Sequence, residues 1–186
     1  MTIDWTHEAI EQLDWHWREH LRPALDGLTD AEHLWDAAPG CWSVRRRADA
    51  GPGALGAGDV VRDWARPAPE PAPFTTIAWR LAHATIGVFG ERASAHFGDG
   101  SFTEETAEWT LSAADALDHL DHWYDAWMTG VRAGGAERMA EPCGPAEGPF
   151  ADAPFGGLVL HISREAIHHG AEILLLRDLY RVSGLG

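Results

Sequence analysis

The stretch Leu158 to Arg181 reads LVLHISREAIHHGAEILLLRDLYR and largely decides the fold of the chain. On a helix of 3.6 residues per turn, positions four apart share a face, so His161, Glu165 and His169 form a polar stripe on an otherwise apolar helix. Burying an imidazole and a carboxylate among apolar side chains is unfavourable unless each finds a partner. The stripe indicates a metal site, or else polar groups that hydrogen-bond to neighbouring helices or reach solvent.

Three further segments show the apolar spacing of amphipathic helices. The pattern predicts helices from residue 4 to about 28, from Thr75 or Thr76 to about residue 97, and from the capping residue Ser112 to about residue 133. A short helix is expected at 28–37. With the stretch at 158–181, this predicts one all-α domain over residues 1–186, a four-helix bundle.

Two long connections separate these helices. Residues 39–73, between the first and second long helices, are rich in Gly, Pro and Ala, and residues 134–153 separate the third and fourth. Both are expected to be mostly irregular, and loops of such length are often functional. Within the first, Trp42 is interpreted either as an anchor of the loop on the bundle or as one wall of a cofactor-binding pocket.

The composition restricts the function. The formal net charge is −15, which opposes binding to nucleic acid or to an anionic membrane surface. The longest apolar run is too short to cross a bilayer, and the first residues lack a basic start followed by an apolar run. We therefore expect a cytoplasmic protein without nucleic-acid or membrane partners. Cys41 and Cys143 fit no metal-binding or redox spacing and are expected to be free thiols.

His83 lies in the middle of the second predicted long helix, four residues after Trp79. A single histidine in such a position is usually a core residue with a hydrogen-bond partner. In a helix bundle, however, sites are built from inward side chains on facing helices, so His83 could share an ion with the stripe on the last helix.

The combination of Trp79 and His83 with the run EAIHHG at 165–170 resembles the DinB-like metal-binding four-helix-bundle superfamily. The resemblance covers the whole chain and implies the same fold. The usual site of that superfamily is three histidines, and Glu165 stands here where the first histidine of the last helix would be. The branch of mycothiol-dependent maleylpyruvate isomerases carries a His, Glu, His set in this order.

By this resemblance His83, Glu165 and His169 are the predicted metal ligands. Two nitrogens and one oxygen with open positions are typical of catalytic zinc, although nickel, manganese or iron also accept these ligands. His161 is a candidate fourth ligand or proton-transfer residue. His168, about 100° around the helix from His169, is a candidate for proton transfer or for a hydrogen bond to a ligand.

Our leading hypothesis from the resemblance is a metal-dependent S-transferase or isomerase that joins a small thiol, of which mycothiol is the expected example, to a small-molecule electrophile. A metal-dependent hydrolase is an alternative from the same site. A second alternative is a metal-binding or ligand-binding bundle without catalysis, with a homodimer held by a helix face. A metal site whose coordination positions are all filled by protein side chains would favour this non-catalytic alternative.

Overall fold

The computed structural model describes residues 2–184 and is mostly helical. Four long helices form the bundle, and the all-α prediction is confirmed. Helix α1 consists of Trp5–His16, Trp17–Leu21 and Arg22–Ala24, and a short helix α2 follows at Asp30–His33. Helix α3 consists of Ile77–His83, Ala84–Gly90 and Glu91–Phe97. Helices α4 and α5 are Ala113–Ala140 and Phe155–Val182, and strands β1 and β2 are Val44–Arg46 and Val60–Arg62.

The helix starts follow from local capping. The Asp4 carboxylate accepts hydrogen bonds from two backbone N–H groups of the first turn of α1. Thr76 and Ser112 accept the backbone N–H groups of Trp79 and Asp115, which lie three residues further on in each case. These side chains satisfy backbone donors that have no partner within the helix, so the predicted starts of these three helices are confirmed.

The apolar spacing fills a single main core between the four long helices. Trp17 of α1 stacks on Tyr124 of α4 with ring centroids 3.8 Å apart, and Phe89 of α3 meets both rings edge-on. Trp127 and Phe155 close the core towards the start of α5, and both are fully buried. The large aromatic rings therefore pack at the centre of the bundle, as their area favours.

The connections contain two short strands and a kinked helix end. Strands β1 and β2 pair antiparallel inside the segment 39–73, with Val44 opposite Arg62, and the rest of this segment is mostly irregular, as predicted. The first part of helix α4 ends close to the predicted position near residue 133, because Gly135 is non-helical with a φ of 58°, and a second helical part continues to Ala140. Glycine adopts this positive φ without the steric strain of a side chain, and the chain is kinked there.

Two of the long helices contain a wider π-helical segment, Trp17–Leu21 in α1 and Ala84–Gly90 in α3. The second begins immediately after His83. Such segments are frequent at functional sites because they rotate the following side chains around the helix axis. Nothing in the apolar spacing predicts them.

A buried ion pair ties the short helix α2 to α5. Arg177 and Glu32 are both nearly inaccessible, and Nε and Nη2 of the arginine donate to the two carboxylate oxygens at 2.7 and 3.2 Å. The same guanidinium donates to the backbone oxygen of Ala24. This two-point geometry suits arginine and fixes the end of α1 beside α5.

No helix within residues 2–184 combines the length and the apolar composition needed for a transmembrane span. Cys41 and Cys143 are buried free thiols, as expected.

His33 on α2 is a buried histidine that makes the stability of the fold depend on pH. It is 1% exposed, and neither ring nitrogen has a hydrogen-bond partner among residues 2–184. Burial lowers its pKa from 6.5 to about 4, although the nearby Asp30 acts in the opposite direction. The folded protein therefore holds the neutral imidazole at neutral pH.

We predict that His33 weakens the fold in acid. Below about pH 6.5 the unfolded chain protonates His33 while the folded chain does not until about pH 4, so the free energy of unfolding falls across this interval by roughly 3 kcal/mol. Urea titrations of the wild type and His33→Leu at pH 7 and pH 4.5 measure it. The variant should lose less stability, whereas the exposed control His7→Leu should match the wild type; equal losses in all three would contradict the prediction.

Candidate metal centre

The three predicted metal ligands lie together between α3 and α5. The imidazole rings of His83 and His169 approach from the two helices with centroids 4.8 Å apart and planes almost perpendicular. Oε2 of Glu165, one turn before His169, is 3.7 Å from His169 Nε2. His169 is buried, and the other two side chains are half-buried. The helical spacing of four residues and the facing of two helices together produce this cluster.

The other nitrogen of His169 is held by a residue that sequence reasoning did not select. Glu172 Oε2 lies 2.9 Å from His169 Nδ1, and Arg80 of α3 donates to the same carboxylate. Arg80 Nη1 also lies 3.1 Å from Nδ1, so this nitrogen donates to Glu172 in one tautomer and accepts from Arg80 in the other. The first tautomer leaves the lone pair on Nε2, the nitrogen that faces Glu165. The spacing of His169 and Glu172 could have indicated this contact, because residues three apart lie next to each other on a helix.

His83 is kept neutral by its surroundings. Burial lowers its pKa to about 3, and the positive charges of Arg62 and Arg80 and the neighbouring His169 act in the same direction. Arg62 Nη1 lies 3.4 Å from His83 Nδ1, at the outer limit of a hydrogen bond. A neutral imidazole is a metal ligand without losing a proton first.

Arg62, at the end of β2, is the second residue that the sequence did not reveal. Its side chain is 1% exposed, its Nη2 donates to Glu104 Oε1 at 2.6 Å, and its guanidinium lies 4.9 to 5.6 Å from the ring centres of three tryptophans. These tryptophans are Trp64, Trp79 and Trp109. Aromatic faces and one carboxylate therefore compensate a charge that water cannot reach.

A second group of potential ligands shares His169. Among residues 2–184, one set of three side chains has all its ligating atoms within 4.8 Å of one another, and it is His168, His169 and Glu172. His168 is 63% exposed, its Nε2 is 3.4 Å from Glu172 Oε1, and Glu172 is already paired with Arg80. The set His83, Glu165 and His169 does not meet this distance criterion with the side chains as they stand.

The remaining predicted residues differ in their distance from this cluster. His161 Nδ1 is 3.7 Å from Glu165 Oε1 and 2.5 Å from Arg164 Nη2, with 44% of the side chain exposed. The exposed His168 contacts Glu172 instead. Trp42 anchors the first loop, because its backbone exchanges hydrogen bonds with Phe74 and Thr76. Its ring also lies 6.2 Å from that of Trp79, which stacks on His83, so an aromatic row leads from the loop to the site.

Two cavities open beside the cluster. One, of about 180 Å³, is lined by His83, Glu165 and His161 among others. The next, of about 730 Å³, lies between α5 and the segment Pro145–Phe150, and Arg92 and His161 line both. A larger open depression of about 1260 Å³ between α3 and α4 contains none of the predicted site residues.

The comparison with protein families identifies a superfamily. A sequence model described as the DinB superfamily matches residues 58–173, which is more than half of the chain and includes His83, Glu165 and His169. The chain belongs to the DinB superfamily. Neither the comparison with curated proteins nor that with solved structures finds a match. The predicted family and fold of this DinB protein are thus confirmed, and its reaction is not.

We predict that Arg62 is essential for the stability of this DinB protein. Replacing it with leucine leaves the Glu104 carboxylate without its partner and opens a gap beside three indole rings. The free energy of unfolding should therefore fall by about 3 kcal/mol. Guanidinium chloride titration measures the loss. Arg46→Leu on β1, where the side chain is exposed, is the matched control and should change stability by less than about 0.5 kcal/mol. Equal stability of the two variants would show that Arg62 is dispensable.

Proposed function

We propose that this DinB protein binds a divalent metal ion through His83, Glu165 and His169 and uses the site to activate a small thiol for S-transfer or isomerisation. The observation that supports this most strongly is the meeting of two imidazoles from different helices, 4.8 Å between centroids, with a carboxylate beside them. Apolar bundles rarely bury such a group without a ligand that compensates it.

The residues fit a divalent ion. Two neutral imidazoles and a carboxylate form a donor set that zinc, nickel, manganese or iron accepts, and three protein ligands leave positions for other groups. Glu172 orients His169 through Nδ1, as carboxylates commonly do for metal-bound histidines. Ligation by His83 Nε2 requires its proton on Nδ1, so the long contact from Arg62 must then be given up, while Glu104 still holds that guanidinium.

The chemistry follows from these donors. A bound divalent ion would stabilise the thiolate form of a coordinated thiol, which is the nucleophilic form. In the transfer, a carbon–sulfur bond forms, the bond from that carbon to its leaving group breaks, and the thiol proton must leave the site. His161 lines the cavity beside Glu165 and reaches solvent, so it is placed to receive that proton. His168, directed to Glu172, is less well placed for this role.

The exposure of the histidines favours the set that spans two helices. His168 is 63% exposed, whereas Glu172 and Glu165 are exposed to the same degree, and the charge of Glu172 is already paired with Arg80. An exposed cluster of acidic and imidazole groups binds metal weakly in competition with water and its own ion pairs. In the set that spans two helices, the hydrogen-bond contact of His83 is made by Nδ1, so its Nε2 is without a hydrogen bond within residues 2–184.

We predict that metal content separates the two sets. His83→Ala and His169→Ala should each reduce the bound divalent ion to less than a tenth of the wild-type content, whereas His168→Ala and the distant control His119→Ala should retain it. Elemental analysis of protein purified without chelators or a histidine tag measures this. Retention by His83→Ala with loss in His168→Ala would assign the ion to the exposed set, and a metal-free, folded wild type would remove the proposal.

The thiol reaction has a direct test. Metal-loaded protein, mycothiol and the electrophile monobromobimane should give the fluorescent thioether and bromide faster than the uncatalysed mixture. His83→Ala should reduce the added rate at least tenfold, and His119→Ala should leave it unchanged. A rate equal to background in the metal-loaded protein would exclude the transferase.

A further inference from the structure

We propose that the cavity of about 730 Å³ between α5 and Pro145–Phe150 binds a small molecule with an apolar body and a single carboxylate. Its volume is in the usual range for small-molecule sites. The ligand would lie with its apolar part against the Pro145–Phe150 segment and its carboxylate towards the neighbouring metal cavity. That this molecule is the electrophile of the thiol reaction rests on the proposed function, whereas its binding does not.

The walls of the cavity are largely apolar. Pro149, Phe150 and Leu158 line it, and Phe150 is 70% exposed, so its ring is open to a ligand. Burial raises the pKa of the Cys143 thiol, so this side chain adds no charge to the wall. An apolar body that covers Phe150 would be stabilised by the area that it removes from water.

The charged groups that line the cavity favour a ligand with a single negative charge. They are Arg92, Arg164 and Glu147, two positive charges against one negative, in a chain whose formal net charge is −15. Glu147 is paired twice already: His96 Nε2 is 3.0 Å from its Oε1 and Arg92 Nε is 3.6 Å from the same atom. A hydrogen bond from His96 and the charge of Arg92 lower the pKa of Glu147, so it stays ionised.

Of the two arginines, Arg164 is the more accessible to a ligand, because only 29% of the Arg92 side chain is exposed. Arg164 is 69% exposed, and its contacts are His161 and, at 3.6 Å, the predicted metal ligand Glu165. His161 lines both cavities, as does Arg92. A carboxylate beside Arg164 would thus lie at the junction of the two cavities, with charge and donors suited to it.

The glycine at position 157 makes this cavity testable. Gly157 lines it, and a Cβ built there meets no atom within 4 Å, so a larger side chain can enter without a clash of the backbone. Gly157→Leu should fill part of the cavity, and leucine also favours the helix over glycine. Ala171→Leu adds a similar side chain to an exposed position of the same helix and is the matched control.

The experiment is calorimetric titration of the protein as purified with butanoate, hexanoate and octanoate, and with 1-octanol. Affinity should increase about fourfold for each added methylene, and octanoate should bind more tightly than octanol. Gly157→Leu should weaken octanoate at least tenfold and Ala171→Leu should not. Arg164→Gln should weaken octanoate about tenfold with octanol unchanged, and Arg181→Gln should behave as the wild type.

The proposal would be overturned if octanoate showed no saturable binding. It would also be overturned if the affinity changed neither with chain length nor in Gly157→Leu. Equal binding of octanoate and octanol would overturn the assignment of a carboxylate. Metal content, measured on the same samples, reports on the proposed function separately, because these titrations need neither ion nor thiol. If thiol transfer is observed, octanoate should raise the KM of the electrophile competitively; an unchanged KM would show that this cavity is not the electrophile site.

Discussion

The burial of one charge, that of Arg62, organises the connections of this protein. A guanidinium that water cannot reach needs a counter-charge and hydrogen-bond acceptors within the fold. Glu104 and Trp109 come from the connection between α3 and α4, and Trp64 follows β2. Segments that would otherwise be free to move are thus required to converge on one side chain, and this side chain lies beside His83.

The small sheet and the packing of α3 explain how Arg62 reaches this position. Pairing of β1 with β2 fixes the backbone of Arg62, and the next residue, Asp63, accepts the Ser43 backbone N–H at 2.9 Å and the indole N–H of Trp79 at 2.8 Å. At Gly87 in the π-helical segment, an added Cβ would lie 3.0 Å from Glu104 and 3.1 Å from His83 Nδ1. A larger residue here would force the side chain of Glu104 or His83 to move by a few tenths of an ångström, so glycine allows the connection to pack closely against the helix.

The sequence predicts the parts of this structure that depend on local periodicity. Caps at Asp4, Thr76 and Ser112 and the stripes of apolar residues define the helices, and the spacing of Glu165 and His169 places them on one face. Arg62 and Glu104 carry no such signal, because their contact joins residues 42 positions apart. Glu172 could have been selected from its spacing to His169, but its pairing with Arg80 depends on how α3 and α5 pack.

The distribution of charge connects the fold with the site. All 14 basic residues are arginines, and several of them are turned inward, each with a carboxylate, in the pairs Arg62–Glu104, Arg80–Glu172 and Arg177–Glu32. Arginine suits these positions because its planar fork satisfies several acceptors at once. With a formal net charge of −15, the protein as a whole repels anions. The exposed Arg164 lines the cavity between α5 and Pro145–Phe150, so an anion that enters this cavity meets a positive charge there.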